Sequence, residues 1–280
     1  MNKDTKFLID IVIEASKIIT PEFEIKVKDE QGGVVTNFDF EIENFIISKL
    51  KEKYPNFDII SEEFNPNKQL TKNCFVIDPL DGTSNFSHGL PLWGIQVACI
   101  KNGKVCNSVI LLPKLNELYY ADSSGAFLNG NKISVKQWAK TQAIFVIDGG
   151  NKPPSFARLF QKTRNIRINY AHCVNLAWTA CGKYSGVIFK KDTCWDYIPG
   201  EYLVKQAGGF IIDEPETHIA ASNPEFANLL KQECGKYEND RVLTEHDKNW
   251  VLIRTKLFLT HPTKKERKKC AFILLRQVAR

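Results

Sequence analysis

No stretch of this 280-residue chain is long and apolar enough to cross a bilayer, which takes about 18 uninterrupted apolar residues. The start, Met1-Asn2-Lys3-Asp4-Thr5-Lys6, leads into an amphipathic pattern and not into the apolar core of a secretion signal. Paired cysteines are lacking too. Cys74, Cys99, Cys106, Cys173, Cys181, Cys194, Cys234 and Cys270 stand singly, with no C-x-x-C pair and no histidine at zinc-ligand spacing. That argues against a disulfide framework and a structural zinc, and for reduced thiols in a cytoplasmic protein. Repeats and low-complexity tracts are absent as well.

What is present is enough apolar material for a core: 43% of the residues are hydrophobic, which argues against disorder of the whole chain. The net charge of +6 is unevenly spread. Residues 241–280 carry 11 Lys+Arg against 3 Asp+Glu, so the rest of the chain is slightly acidic, at −2. The basic character therefore belongs to the C-terminal end and not to the body.

Phe7, Leu8, Ile11, Val12, Ala15, Ile18 and Ile19 recur at helical spacing until Pro21, which predicts a first amphipathic helix. Lys26 to Gly33 reads as a mobile loop or hairpin tip, Val34 to Thr36 as a short extended piece, and Asp39 to Tyr54 as a second helix. Short strands are expected at 58–61, 74–77, 94–100, 105–112 and 117–121, followed by a turn-rich surface stretch from Ser123 to Lys132. The second half alternates strands at 144–148, 166–169, 186–189 and 210–212 with helices near 155–163, 174–182 and after Asp196. Pro199 is expected in the first turn of the last of these, where proline is tolerated. The mixture without a regular βαβ rhythm predicts a layered α/β or α+β fold.

The most informative stretch is Asp78-Pro-Leu-Asp-Gly-Thr-Ser-Asn-Phe86. Asp78 ends an apolar run, Pro79 stiffens the exit, and Asp81 follows three residues on, so a bend there turns two carboxylates toward one point. Their mutual repulsion calls for a cation, and Mg²⁺ suits a few carboxylates plus phosphate oxygens. Gly82-Thr83-Ser84-Asn85 reads as a helix start with amides available to an anion. A capped loop after a strand gives the same short pattern. Further acids stand in three similar contexts: Asp39 at a helix start, Glu62 and Glu63 at a strand end, and Asp196 at a helix start.

With these motifs in this order the sequence resembles the inositol monophosphatase family of metal-dependent, lithium-sensitive phosphatases. The resemblance runs from residue 1 to about 235, through V-V-T-x-x-D at 34–39, Ser61-Glu62-Glu63, the 78–86 motif and His88-Gly-Leu-Pro91. It continues through Gly125-Ala-Phe-Leu-Asn-Gly130, Trp195-Asp196 and Gln206-Ala-Gly-Gly209. It implies an α+β fold, a layered αβαβα sandwich, commonly homodimeric, as a phosphatase domain over 1–238 with a basic extension over 239–280. It further implies metal ligation by Glu62, Asp78, the Leu80 carbonyl, Asp81 and Asp196, with Asp39 near a metal through water. Glu62 and Thr83 would orient the attacking water, Asp81, Gly82, Thr83 and Asp196 would bind substrate, and Lys28 would lie on a mobile loop beside the metals.

The expected reaction is Mg²⁺-dependent hydrolysis of a phosphate monoester, foremost an inositol monophosphate. Two departures bear on substrate. Tyr170-Ala171-His172 replaces the family's Gly-Ser or Gly-Thr-Ala element, and Phe189 stands where the family has a hydroxyl-binding glutamate. Lys190 and Lys191 follow, as a solvated pair or as contacts for a second phosphate, so fructose 1,6-bisphosphate, NADP or another nucleotide is the alternative substrate. His172 reads as a structural histidine. Lys264 to Leu275 forms a basic amphipathic pattern suited to RNA, an anionic membrane or a protein partner, with a solvated extension as the other reading.

Overall fold

The computed structural model describes residues 1–28, 33–148, 157–163, 165–190, 193–215 and 217–234. The expected boundary at 238, the basic extension, the hairpin tip at 29–32 and Lys191 lie outside the described residues.

In chain order the elements are α1 (Lys3–Ser16), β1 (Ile25–Val27), β2 (Val34–Thr36), α2 (Asn37–Lys53), β3 (Asp58–Ser61), β4 (Cys74–Asp81), α3 (Thr83–Ser87), β5 (Gly94–Lys101), β6 (Lys104–Leu112), β7 (Glu117–Asp122), β8 (Gly125–Leu128) and β9 (Asn131–Ile133). After these come β10 (Phe145–Ile147), α4 (Ala157–Lys162), β11 (Ile166–Arg167), α5 (His172–Ala180), β12 (Gly186–Lys190), α6 (Cys194–Gln206), β13 (Phe210–Asp213), β14 (Thr217–Ala221) and α7 (Pro224–Cys234). A seven-stranded sheet runs β3-β4-β5-β6-β7-β8-β9 and a five-stranded sheet runs β11-β10-β12-β14-β13, while β1 and β2 pair as a hairpin.

Strand alternation sorts the core into layers. Along β6 and β7, Val109, Leu111 and Tyr120 face α1 and α2, whereas Ile110, Leu112, Tyr119 and Ala121 face α5 and α6. In the second sheet, Val146, Val187, Phe189 and Ala220 meet α5 and α6 from the other side, and Phe145, Ile147, Ile188 and Ile219 pack on α7. The result is the α+β sandwich of five layers expected from the resemblance. No helix among the described residues is long and apolar enough to cross a membrane.

Some expectations need correcting. The stretch from Ser123 to Lys132 holds β8 and the start of β9, because Ala126 pairs with Ala121 and buries itself in the sheet. Pro199 is not in the first turn: α6 begins at Cys194, before Asp196, which leaves Pro199 inside the helix. The helix start read at Gly82 to Asn85 is α3, whereas β14 and α7 were not expected at all.

Candidate functional site: a carboxylate centre at the ends of β3 and β4

Residues three apart on a regular strand face opposite ways, so Asp78 and Asp81 need a device to meet. The pairing of β4 with β5 supplies it. Asp78 stands opposite Gln96 and Asp81 opposite Gly94, three steps against two, with Pro79 in the interval unable to donate to the ladder. This bulge brings both carboxylates to the same side. The chain then reverses at Gly82, whose φ of +84° suits glycine and whose position admits no side chain, since a Cβ there would lie 2.8 Å from the Leu92 carbonyl oxygen.

Three further elements converge on the bulge. Strand β3 runs parallel to β4 with Ser61 level with Ile77, which carries Glu62 alongside Asp78. Helix α6 delivers Asp196 from its first turn, where Oδ2 accepts the Thr193 hydroxyl, and Trp195 seats that turn against Ile60, Val76 and Ala98. Helix α2 supplies Asp39 through a capping box: Oδ2 accepts the Thr36 amide at 2.7 Å and its hydroxyl at 2.6 Å. Across from it, the Thr83 hydroxyl lies 3.1 Å from Asp39 Oδ1 and 2.8 Å from the Leu80 carbonyl oxygen.

Of the residues expected from sequence, Glu62, Asp78, Asp81 and Asp196 share one electrostatic environment. Burial pushes Asp78 well above the usual carboxylate range, and Glu62, Asp81 and Asp196 push it further. Burial likewise raises Glu62 to about 8, with Lys28 opposing and Asp196 assisting. Asp81 reaches about 6 through burial, with His172 opposing and Asp196 assisting. Asp39 is raised by burial against its hydrogen bonds to Thr36. Lys28, from the end of the β1–β2 hairpin, bridges Glu62 at 2.9 Å and also pairs with Glu63.

The Leu80 carbonyl, an expected ligand, accepts the Thr83 hydroxyl and keeps a second lone pair. Tyr170 is exposed and adopts φ +53°, the left-handed region that residues other than glycine enter rarely. Phe189 is fully buried.

Four residues of the site escaped the sequence reading. Glu43 is buried on α2 and accepts the Ser61 hydroxyl at 2.5 Å, the Phe64 amide at 2.7 Å and the Glu63 amide at 2.8 Å, which closes the turn carrying Glu62. Its signal was a carboxylate one position after Ile42, on the apolar side of a helix. Gln96 donates to Asp78 Oδ2 at 3.3 Å. Asp148 accepts from the Ala171 amide at 3.2 Å and from Asn175 at 2.6 Å and so anchors the start of α5, whose Cys173 amide donates to Asp81 Oδ2 at 2.5 Å. His172, read from sequence as structural, offers a nitrogen that lies with oxygens of Asp81 and Asp196 inside a 4.8 Å span.

The donor set fits a divalent cation. Buried carboxylates repelling one another at the mouth of a bulge lower their energy by sharing positive charge. Carboxylate oxygen in this number is the chemistry that hard divalent ions take.

The model of the inositol monophosphatase family matches residues 1–246. The chain belongs to this family. A fructose-1,6-bisphosphatase/inositol-1-monophosphatase of Thermotoga maritima is 33% identical over 218 residues, covering 75% of this chain and 84% of that protein. Inositol monophosphatase 3 of Solanum lycopersicum is 30% identical over 236 residues, 76% of this chain and 88% of that one. Among solved structures, the Thermotoga maritima IMPase superposes with a TM-score of 0.70 at 27% identity, over 82% of this chain and 95% of that one. The protein is thus a phosphatase of the inositol monophosphatase family, a phosphoric monoester hydrolase.

Proposed function

We propose that the protein hydrolyses a small phosphate monoester, foremost an inositol monophosphate, with Mg²⁺ as its cation. The observation that carries this reading is the convergence of Glu62, Asp78, Asp81 and Asp196 from β3, the β4 bulge and α6, where burial raises Glu62, Asp78 and Asp81 and Asp196 raises all three further. Glu62, Asp78, Asp81, Asp196 and the Leu80 carbonyl would hold divalent ions, which when bound would acidify a water and offset charge growing on the ester oxygen.

The chain's own part is to fix the water and the phosphate. The Thr83 hydroxyl proton is directed to Asp39 and Leu80, so its oxygen accepts a hydrogen bond from the attacking water and aims the water's lone pair at phosphorus. Glu62 accepts the water's other O–H and takes that one proton as the oxygen bonds to phosphorus, while the ester P–O bond breaks and the leaving oxygen is protonated from solvent. Amides of Gly82 and Thr83 at the start of α3 take phosphate oxygens.

A second reading keeps this chemistry and changes the substrate to fructose 1,6-bisphosphate or a nucleotide phosphate. Phe189 favours it, since a buried ring accepts no hydrogen bond from a polyol hydroxyl, and Lys190 follows directly at the end of β12. The Thermotoga relative's name joins both substrates. Phosphate release from inositol 1-phosphate, fructose 1,6-bisphosphate, NADP and adenosine 3′,5′-bisphosphate, with Mg²⁺ and with or without lithium, separates the two. Highest turnover on inositol 1-phosphate, suppressed by lithium, is the expected result; preference for a substrate with two phosphates supports the second reading, and no release from any contradicts both.

A further inference from the structure

We propose that His172 is a nitrogen ligand to a divalent transition-metal ion shared with Asp81 and Asp196, so that one position of the centre is a mixed nitrogen and oxygen site. The inference rests on the phosphatase reading above, because it adds a ligand to the same centre. It goes beyond the ligand set implied by the family motifs, in which every donor is an oxygen.

Three elements meet here: Asp81 ends β4, Asp196 stands in the first turn of α6, and His172 is the first residue of α5. One donor atom from each lies within 4.8 Å of the other two. Imidazole nitrogen and carboxylate oxygen bind such ions at about 2.0–2.2 Å, so one ion between the three is reached with small side-chain adjustment.

Each side chain is anchored by a neighbour. Asp81 Oδ2 takes the Cys173 amide at 2.5 Å, which ties β4 to the start of the very helix that carries His172. Asp196 Oδ2 takes the Thr193 hydroxyl. The His172 ring is met edge-on by Phe189, with centroids 4.9 Å apart and planes at 72°. Phe189 is in turn stacked on His218 at 5.6 Å and 8°, and His218 Nδ1 is bonded to Glu201 Oε1 at 2.6 Å.

Two departures from the family pattern therefore belong together. Where the resemblance expects a hydroxyl-binding glutamate, Phe189 orients an imidazole, and where it expects a small residue at the start of α5, His172 provides that imidazole. Imidazole favours Mn²⁺, Co²⁺ and Zn²⁺ relative to Mg²⁺, which takes oxygen almost alone. The site is thereby biased toward transition ions. A protonated His172 balancing Asp81 and Asp196 without ligation is the competing arrangement.

Mn²⁺ distinguishes them by a signal independent of turnover. The full chain, with one equivalent of Mn²⁺, is examined by electron spin-echo modulation for ¹⁴N coupling, with Mn²⁺ and Mg²⁺ affinities and phosphate release measured on the same samples. The expected result is ¹⁴N modulation that is lost in His172→Ala and in the gentler His172→Asn. Mn²⁺ affinity should fall by about tenfold or more, on the scale of losing one ligand, while Mg²⁺ affinity moves far less. Mn²⁺ bound to an active phosphatase without ¹⁴N modulation, or with modulation that survives in a folded His172 variant, overturns the proposal and leaves the phosphatase reading standing. Neither Mn²⁺ binding nor phosphate release in the wild type overturns both. A wild-type spectrum without modulation decides against the ligation whether or not either variant folds.

Discussion

The Thr83 hydroxyl lies between Asp39 Oδ1, at 3.1 Å, and the Leu80 carbonyl oxygen, at 2.8 Å. One hydroxyl thus links helix α2 to the exit of β4, its proton given to these two oxygens and its own lone pair left to accept. Thr83→Val preserves shape and removes the hydroxyl that accepts the water's hydrogen bond, so kcat should fall by about 10²-fold, the lower end of what a positioned acid–base group contributes, with little change in KM. Steady-state kinetics at saturating Mg²⁺ check this. An unchanged kcat means that the water is held elsewhere.

Glu43 carries a different expectation, because it touches the turn and not the reacting groups. Glu43→Gln retains the volume but cannot accept from the Ser61 hydroxyl and both amides, Glu63 and Phe64, as the carboxylate does. One donor of that turn then loses its partner, at a cost of about 1–3 kcal/mol. Thermal unfolding should show the loss, and kcat/KM should drop about tenfold as Glu62 shifts. A variant equal to wild type in both respects shows that the turn holds itself.

Stability of the cation-free protein should depend on pH in an uncommon sense. Asp81 and Glu62 are raised to about 6 and about 8, so the folded chain holds these protons more tightly than the unfolded one. Their contribution is complete below about pH 4, the ordinary carboxylate range, and is lost as pH rises through 6 and then 8. A difference of one bound proton is worth about 1.4 kcal/mol per pH unit, and each kcal/mol moves Tm by about 2–4 °C in a chain this size. With chelator present, Tm should therefore fall by about ten degrees or more between pH 5 and pH 8.5, and Mg²⁺ should restore it more at the higher pH. A flat profile, or a cation effect equal at both ends, contradicts the electrostatic description of the site.

The strands and helices that shape this centre were legible where one face is plainly apolar, as in α1, or where the whole run is, as in β4. Boundaries drifted where local signals competed. Helix α6 starts before Asp196 because Thr193 provides the cap position and Trp195 is drawn into the sheet, and Pro199 rides inside the helix as a consequence. Strand β14 is buried along its whole length and carries a histidine and two alanines, so it shows no alternation to read. The meeting of Asp78 and Asp81 was legible because the 78–86 motif spells out the bulge and its turn. Glu43, Gln96 and Asp148 were not, because each acts by accepting or donating hydrogen bonds across the chain, at sequence separations of 18 to 27, that no local pattern announces.

Cation-held carboxylates, Asp81 among them, are proposed to run the phosphatase. The most direct measurement is phosphate release by Asp81→Asn against wild type over a Mg²⁺ titration. Asparagine keeps the volume and an oxygen able to accept the Cys173 amide, so the fold is preserved while the charge is removed. Turnover lower by about 10²-fold or more, not recovered at high Mg²⁺, is the expected result, in line with losing an electrostatic stabiliser. Near-normal Mg²⁺-dependent turnover in the folded variant would contradict it.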